Sequence, residues 1–181
     1  GDVTVTATIS AEGNLNGKTL TKTIHVVSDQ LIYFINAGAE DSSAFKEVAE
    51  CVSLRNETAD ADYSKENGWG VFNAGANEDG VSVVKKTSST DDIYSNGYWA
   101  RNGEDCEYIL PLESGTYEVT GYYAEWWNKN RPMKLYAEYK NDAGKTVQSE
   151  AAAISLNGTD KNVQAKLTFT VSNVADRTPV Y

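Results

Sequence analysis

Between Glu125 and Pro132 the chain reads EWWNKNRP, which sets two adjacent indoles beside Asn128, Lys129, Asn130 and Arg131. An indole is large, rigid and apolar with one N–H donor. A pair of them in a polar loop either caps the end of a core or makes a platform for a flat, partly apolar ligand. Two other polar stretches also carry aromatics: Tyr63 and Trp69 within 56–70, and Tyr94, Tyr98 and Trp99 within 88–105. These residue types suit a pyranose, whose C–H face stacks on a ring while its hydroxyls donate hydrogen bonds to Asp and Asn and accept them from Asn and Arg. Asp62, Asn128 and Arg131 are the polar candidates. The competing structural reading has Trp69 and one of Trp126 and Trp127 filling the ends of the core.

Strands must position these loops. Tyr117, Val119, Gly121 and Tyr123 alternate with Glu118, Thr120, Tyr122 and Ala124, and Met133, Leu135, Ala137 and Tyr139 alternate with Lys134, Tyr136 and Glu138. This period of two belongs to strands with one face on a core. Pro132 lacks the N–H that a central ladder needs, which places it in the turn between them. Val163, Ala165, Leu167, Phe169 and Val171 give the cleanest alternation, Val81–Val84 a short strand after the turn Asn77–Gly80, and Leu31–Ile35 a continuous apolar run that reads as a strand buried on both faces. Phe45, Val48, Ala49 and Val52 follow the caps Asp41, Ser42 and Ser43 at helical spacing, predicting one short amphipathic helix. At the front, Val3–Ile9 and Leu20–Val26 flank the turn-rich segment Glu12–Gly17 as a hairpin, with His25 a solvated strand residue and Ser28–Gln30 a linker. A lone hairpin is marginal in water, so it needs something to pack on. Pro179, Val180 and Tyr181 read as the start of a further strand. The fold expected is all-β, an antiparallel sandwich in which loops far apart in sequence gather at one rim.

Sixteen Lys and Arg against 26 Asp and Glu give a formal net charge of −10 over 181 residues. That balance repels phosphate backbones and anionic bilayers, so neither nucleic acid nor membrane is an expected partner. No apolar run approaches the about 18 residues that a spanning helix requires. Cys51 and Cys106 match no metal-ligand spacing and read as two buried, unreactive thiols. One His and two isolated Cys leave little nucleophilic chemistry, and no G-x-S-x-G, P-loop, dinucleotide-binding or H-E-x-x-H motif occurs. A catalytic carboxylate pair cannot be singled out among 26 acids, and the expectation is a non-catalytic chain.

The order Leu110-Pro111-Leu112, Gly115-Thr116-Tyr117-Glu118-Val119, Tyr123-Ala124-Glu125 and then Arg131 resembles the central signature of malectin-like domains. Ile35-Asn36-Ala37-Gly38, and Asp62-Tyr63 followed by Trp69-Gly70, resemble two upstream segments of that family, with Gly121 standing where a bulky apolar residue is usual. The hairpin resembles the last two strands of bacterial Ig-like domains. The resemblance implies a malectin-like (galactose-binding-like) jelly-roll sandwich over 30–181, cut short at its C-terminus, after a partial Ig-like domain and linker over 1–29. It further implies an extracellular carbohydrate-binding module of a multimodular secreted bacterial glycoside hydrolase, with a glycan and neighbouring modules as partners. The expected sugar site comprises Tyr63, Trp69, Tyr98, Trp99, Trp126, Trp127, Asp62, Asn128 and Arg131. Glu125 and Arg131 are expected to brace the loop as a charge-assisted pair. An extracellular setting leaves a Cys51–Cys106 disulfide as the minority reading. Asp60, Asp62, Glu40 and Asp41 are candidates for a structural calcium, though without EF-hand spacing. The alternative function is a spacer that positions neighbouring modules and binds no sugar.

Overall fold

The computed structural model describes residues 2–8, 19–25, 30–39, 42–72, 81–85, 93–94, 96–100, 105–158 and 162–181, with the backbone alone described over 2–8, 19–25 and 81–85. Strand β1 (Asp2–Thr8) pairs with β2 (Thr19–His25) as an antiparallel ribbon, Asp2 opposite His25 and Thr8 opposite Thr19. The turn expected at 12–17, most of the linker, the turn at 77–80 and the side chain of His25 lie outside the described residues.

The helix α1 (Ser43–Cys51) begins where the caps put it. Ser42 is buried with an extended backbone, and its hydroxyl accepts the Phe45 N–H at 3.2 Å and the Asn36 side-chain amide at 2.9 Å. A cap of this kind stabilises a helix by about 1 kcal/mol. Leu31–Ile35 is not a strand but an irregular, half-buried segment. Side chains and loop backbone take the place of a ladder: buried Asn56 accepts from Phe34 N–H at 3.2 Å and donates to Phe34 O at 2.6 Å, and Arg55 N–H donates to Ile32 O at 2.8 Å. With those groups satisfied, an apolar run has no need of a strand partner.

The remaining strands are β3 (Gly70–Phe72), β4 (Val81–Lys85), β5 (Asn96–Ala100), β6 (Glu107–Leu112), β7 (Gly115–Ala124), β8 (Arg131–Leu135), β9 (Glu138–Lys140), β10 (Thr146–Gln148), β11 (Ala152–Leu156), β12 (Asn162–Val171) and β13 (Thr178–Val180). One sheet runs β10-β9-β13-β6-β3, and β12 pairs β7, β11 pairs β8 and β4 pairs β5, all antiparallel. The single strand expected over 133–139 is thus two, β8 and β9, which pair with different partners. Pro132 lies within β8 opposite Ser155, not in the turn, and among the described residues β11 is the one strand paired with β8. An edge position of this kind tolerates a residue without an N–H. Tyr98 and Trp99, expected in a loop, lie on β5, and Asn96-Gly97 opens that strand instead of turning the chain.

The five-stranded sheet and the β7–β12 pair share a core. Leu112, Tyr139 and Val180 from the first, with Ala137 just before β9, meet Leu167, Phe169 and Val171 of β12, and Tyr117, Val119, Leu135, Val147 and Ala152 pack around them. Every second residue of β12 from Ala165 to Val171 is buried, as its alternation requires. Full burial of a side chain such as Leu or Phe stabilises the fold by about 1.5–3 kcal/mol. The fold of the described residues is therefore all-β and antiparallel with one short helix, consistent with a sandwich. Gly121 is explained by packing: the Tyr123 ring lies where a Cβ on residue 121 would stand. Gly70 has φ +133°, and a Cβ there would strike the backbone of Ala61, Asp62 and Tyr63, which the Asp62–Val71 bridge brings alongside.

Candidate functional site

The turn from β7 to β8 is wound around one carboxylate. Glu125 is 1% exposed, and its Oε1 accepts the Trp127 N–H at 2.6 Å while Oε2 accepts Arg131 Nε–H at 2.5 Å. Burial alone would raise the Glu125 carboxyl. The backbone N–H of Trp127, the Arg131 side chain and the Lys129 N–H outweigh it and hold the carboxyl below its ordinary value. Asn128 takes φ +56°, a left-handed conformation that Asn tolerates better than most residues, and its side chain fills the space that a Cβ on Gly158 would need. The expected Glu125–Arg131 pair is thus present, with Arg131 opening β8.

This winding turns Trp127 outward. It is 48% exposed, and the Arg131 guanidinium carbon lies 5.4 Å from its ring centroid, within cation–π range. Trp126 is half-buried, 5.8 Å from Trp127 between centroids, and its Nε1–H is buried with no acceptor among the described residues. Trp99 reaches in from β5: it is 38% exposed and its ring is 6.4 Å from Trp127, tilted by 58°. Tyr94, just before β5, meets Tyr122 of β7 edge to face at 6.1 Å. Tyr122 is an exposed aromatic on the outward face of β7, outside the aromatic-bearing loops that the sequence marks. Its place in the β7 alternation, opposite the inward Tyr123, was the signal for it.

Strand β5 positions Trp99 because successive residues face opposite ways. On the other side Tyr98 donates to Asp60 Oδ2 at 2.9 Å, and the Asn96 side chain donates to Ala37 O at 2.8 Å. Asp60, 4% exposed, also accepts from Tyr108 OH at 2.9 Å and Gly38 N–H at 2.6 Å. Burial raises its carboxyl, and the four hydrogen bonds to it, from Gly38, Tyr108, Tyr98 and Ala61, only partly offset that.

The nine residues expected at a sugar site therefore divide. Trp99, Trp126, Trp127, Asn128 and Arg131 come together at the β7–β8 turn. Tyr98 is committed to Asp60. Trp69 is 6% exposed against Tyr33, at 6.4 Å between rings, so it fills the core as the structural reading had it. Tyr63 packs edge to face on Phe72 at 6.0 Å, and Asp62 is exposed beside β3. The segment 60–71 spends its aromatics on holding that part of the fold together.

Of the calcium candidates, Glu40 and Asp41 lie outside the described residues, and both Asp60 oxygens are occupied by protein donors. No group of three or more His, Cys, Asp or Glu among the described residues is placed to hold a metal ion. The cysteines are free and exposed, not buried as expected: Cys51 ends α1 on its outer side and Cys106 precedes β6. A separate cleft of about 300 Å³, between β9–β10 and β12, is lined by Tyr139, Val147, Gln148, Ser149, Phe169 and their neighbours. None of the clustered tryptophans borders it. Among the described residues no helix is long and apolar enough to cross a membrane.

Compared with family models, with curated proteins and with solved structures, the chain matches none.

Proposed function

We propose that the chain is a non-catalytic carbohydrate-binding module. Its sandwich is a malectin-like jelly roll, its N-terminal hairpin is the end of an Ig-like domain, and its parent is a secreted glycoside hydrolase. The observation that carries this reading is the exposed aromatic cluster. Trp99 and Trp127 come from separate elements, meet at 6.4 Å and remain 38% and 48% exposed, with the Arg131 guanidinium against one of them. Exposed indoles next to fixed hydrogen-bond donors offer a sugar ring both an apolar face and polar partners. Tethered to a catalytic module, such a site raises the local concentration of glycan at the enzyme without doing chemistry itself. The deciding test is a tryptophan fluorescence titration of the purified chain with a panel of plant, host and microbial oligosaccharides. Saturable changes that disappear in Trp99→Ala and Trp127→Ala support the module. A flat response across the panel, with iodide quenching unchanged, supports the spacer.

A further inference from the structure

Arg131 is held on two sides and open on the third. Its Nε–H is committed to Glu125 and its guanidinium lies against Trp127, yet the side chain is 40% exposed and no further acceptor among the described residues bonds its Nη1 or Nη2. The planar fork of an arginine matches a carboxylate in a bidentate pair, and a fork already immobilised loses little freedom on binding. Local charge favours the same class of ligand. The turn from Glu125 to Arg131 carries Glu125, Lys129 and Arg131, one negative and two positive charges, in a chain whose net charge is −10. The negative charge is buried and fully bonded, whereas Lys129 is exposed. At physiological ionic strength charges beyond about 8 Å are largely screened, so the turn's own Lys129 and Arg131 weigh more on a ligand that touches it than the chain's net charge does.

We propose that this site selects acidic sugars: a uronic or sialic acid residue rests on the Trp99–Trp127 pair and places its carboxylate on the Arg131 Nη fork, with Lys129 adding attraction. The inference rests on the carbohydrate reading above and names its ligand class. Arg131 binds the carboxylate and Glu125 positions Arg131.

The test compares oligogalacturonides, glucuronate-substituted xylan oligosaccharides and a sialylated oligosaccharide, each against its own methyl ester, by fluorescence titration of the whole chain. Esterification removes the charge and leaves the ring to stack. At least one acid is expected to bind ten-fold or more tighter than its ester. Lys129→Gln should reduce that preference two- to three-fold. Arg131→Gln strands the buried Glu125, so Arg131→Lys is the informative variant: it keeps a cation for Glu125 but has no fork, and should lose most of the preference, with acid binding falling several-fold more than ester binding. Equal affinity for acid and ester, or a preference that survives Arg131→Lys, overturns the inference and leaves the carbohydrate reading standing. Absence of binding to every sugar and ester overturns both.

Discussion

Two buried carboxylates, Asp60 at 4% exposure and Glu125 at 1%, organise two regions of this molecule in opposite ways. Asp60 is enclosed by neutral donors: two tyrosine hydroxyls and the backbone N–H groups of Gly38 and Ala61 converge on it and link β5, β6 and the 36–38 segment. Glu125 is enclosed by a cation and by the N–H groups of its own turn. The first arrangement draws its aromatics inward and leaves nothing for a ligand. The second satisfies the turn internally and leaves two indoles and half a guanidinium facing out. Burial of a carboxylate therefore marks a structural centre in both places, and only the groups left uncovered around it distinguish a candidate site from a brace.

The strongest way to break the comparison is Asp60→Ala. It leaves Gly38 N–H, Tyr98 OH and Tyr108 OH without their acceptor in a place water reaches poorly, and each orphaned buried donor costs about 1–3 kcal/mol. A loss of about 3–5 kcal/mol in urea unfolding is expected, with release of β5 from the 36–38 segment. A loss under about 1 kcal/mol would mean that the hub braces nothing.

Glu125→Gln is expected to cost less, about 2 kcal/mol at pH 7, because Arg131 is partly solvated and can turn to water. The pH dependence separates the two centres more sharply than the magnitudes do. Glu125 titrates below its ordinary 4.5 when folded, so its contribution is present above that value and is lost as pH falls through the folded pKa. The penalty of Glu125→Gln should therefore shrink on acidification below pH 4.5. Asp60 titrates above its ordinary 3.8, so between that value and the folded pKa the native state holds more protons than the unfolded one, and stability falls as pH rises through the window. The penalty of Asp60→Ala should accordingly grow toward acid. Unfolding measured from pH 3 to 7 on both variants checks this, and parallel pH profiles would sink the distinction.

The sequence made the strands legible wherever one face was buried and the other was not. β7 and β12 follow their alternation over ten residues each, and α1 starts at its Ser cap. Its limits fall where tertiary contacts replace local pattern. Leu31–Ile35 has strand composition, but Asn56 and Arg55 take its hydrogen bonds. The chain between Leu135 and Glu138 leaves the β11 partner for the five-stranded sheet without any breaker residue at the crossing. For the site, the indoles at the β7–β8 turn and the Glu125–Arg131 pair were legible because they lie together in the sequence. Trp99 joins them only because Tyr98, one residue earlier, is pulled the other way by an aspartate 38 residues upstream. The burial of Trp69 against Tyr33 is likewise a long-range fact, and aromatic composition cannot say which indole will be core and which will be rim.

The smallest expected effect tests the division of labour inside the indole pair. Trp126 and Trp127 are neighbours in sequence and 5.8 Å apart in space, yet Trp127 is the exposed one and Trp126 hides an N–H that nothing among the described residues accepts. An unpaired buried donor is a standing cost, so its removal offsets what a smaller ring loses in contact. Trp126→Phe should therefore leave stability within about 1 kcal/mol and preserve glycan binding, whereas Trp127→Phe should leave stability alone and weaken binding by reducing the exposed stacking surface. If Trp126→Phe instead destabilises the chain by more than about 2 kcal/mol, its indole N–H has an acceptor or its ring fills space that phenyl cannot. Trp126 would then be a buried brace like Tyr98, and Trp127 with Trp99 would be the whole of the stacking surface.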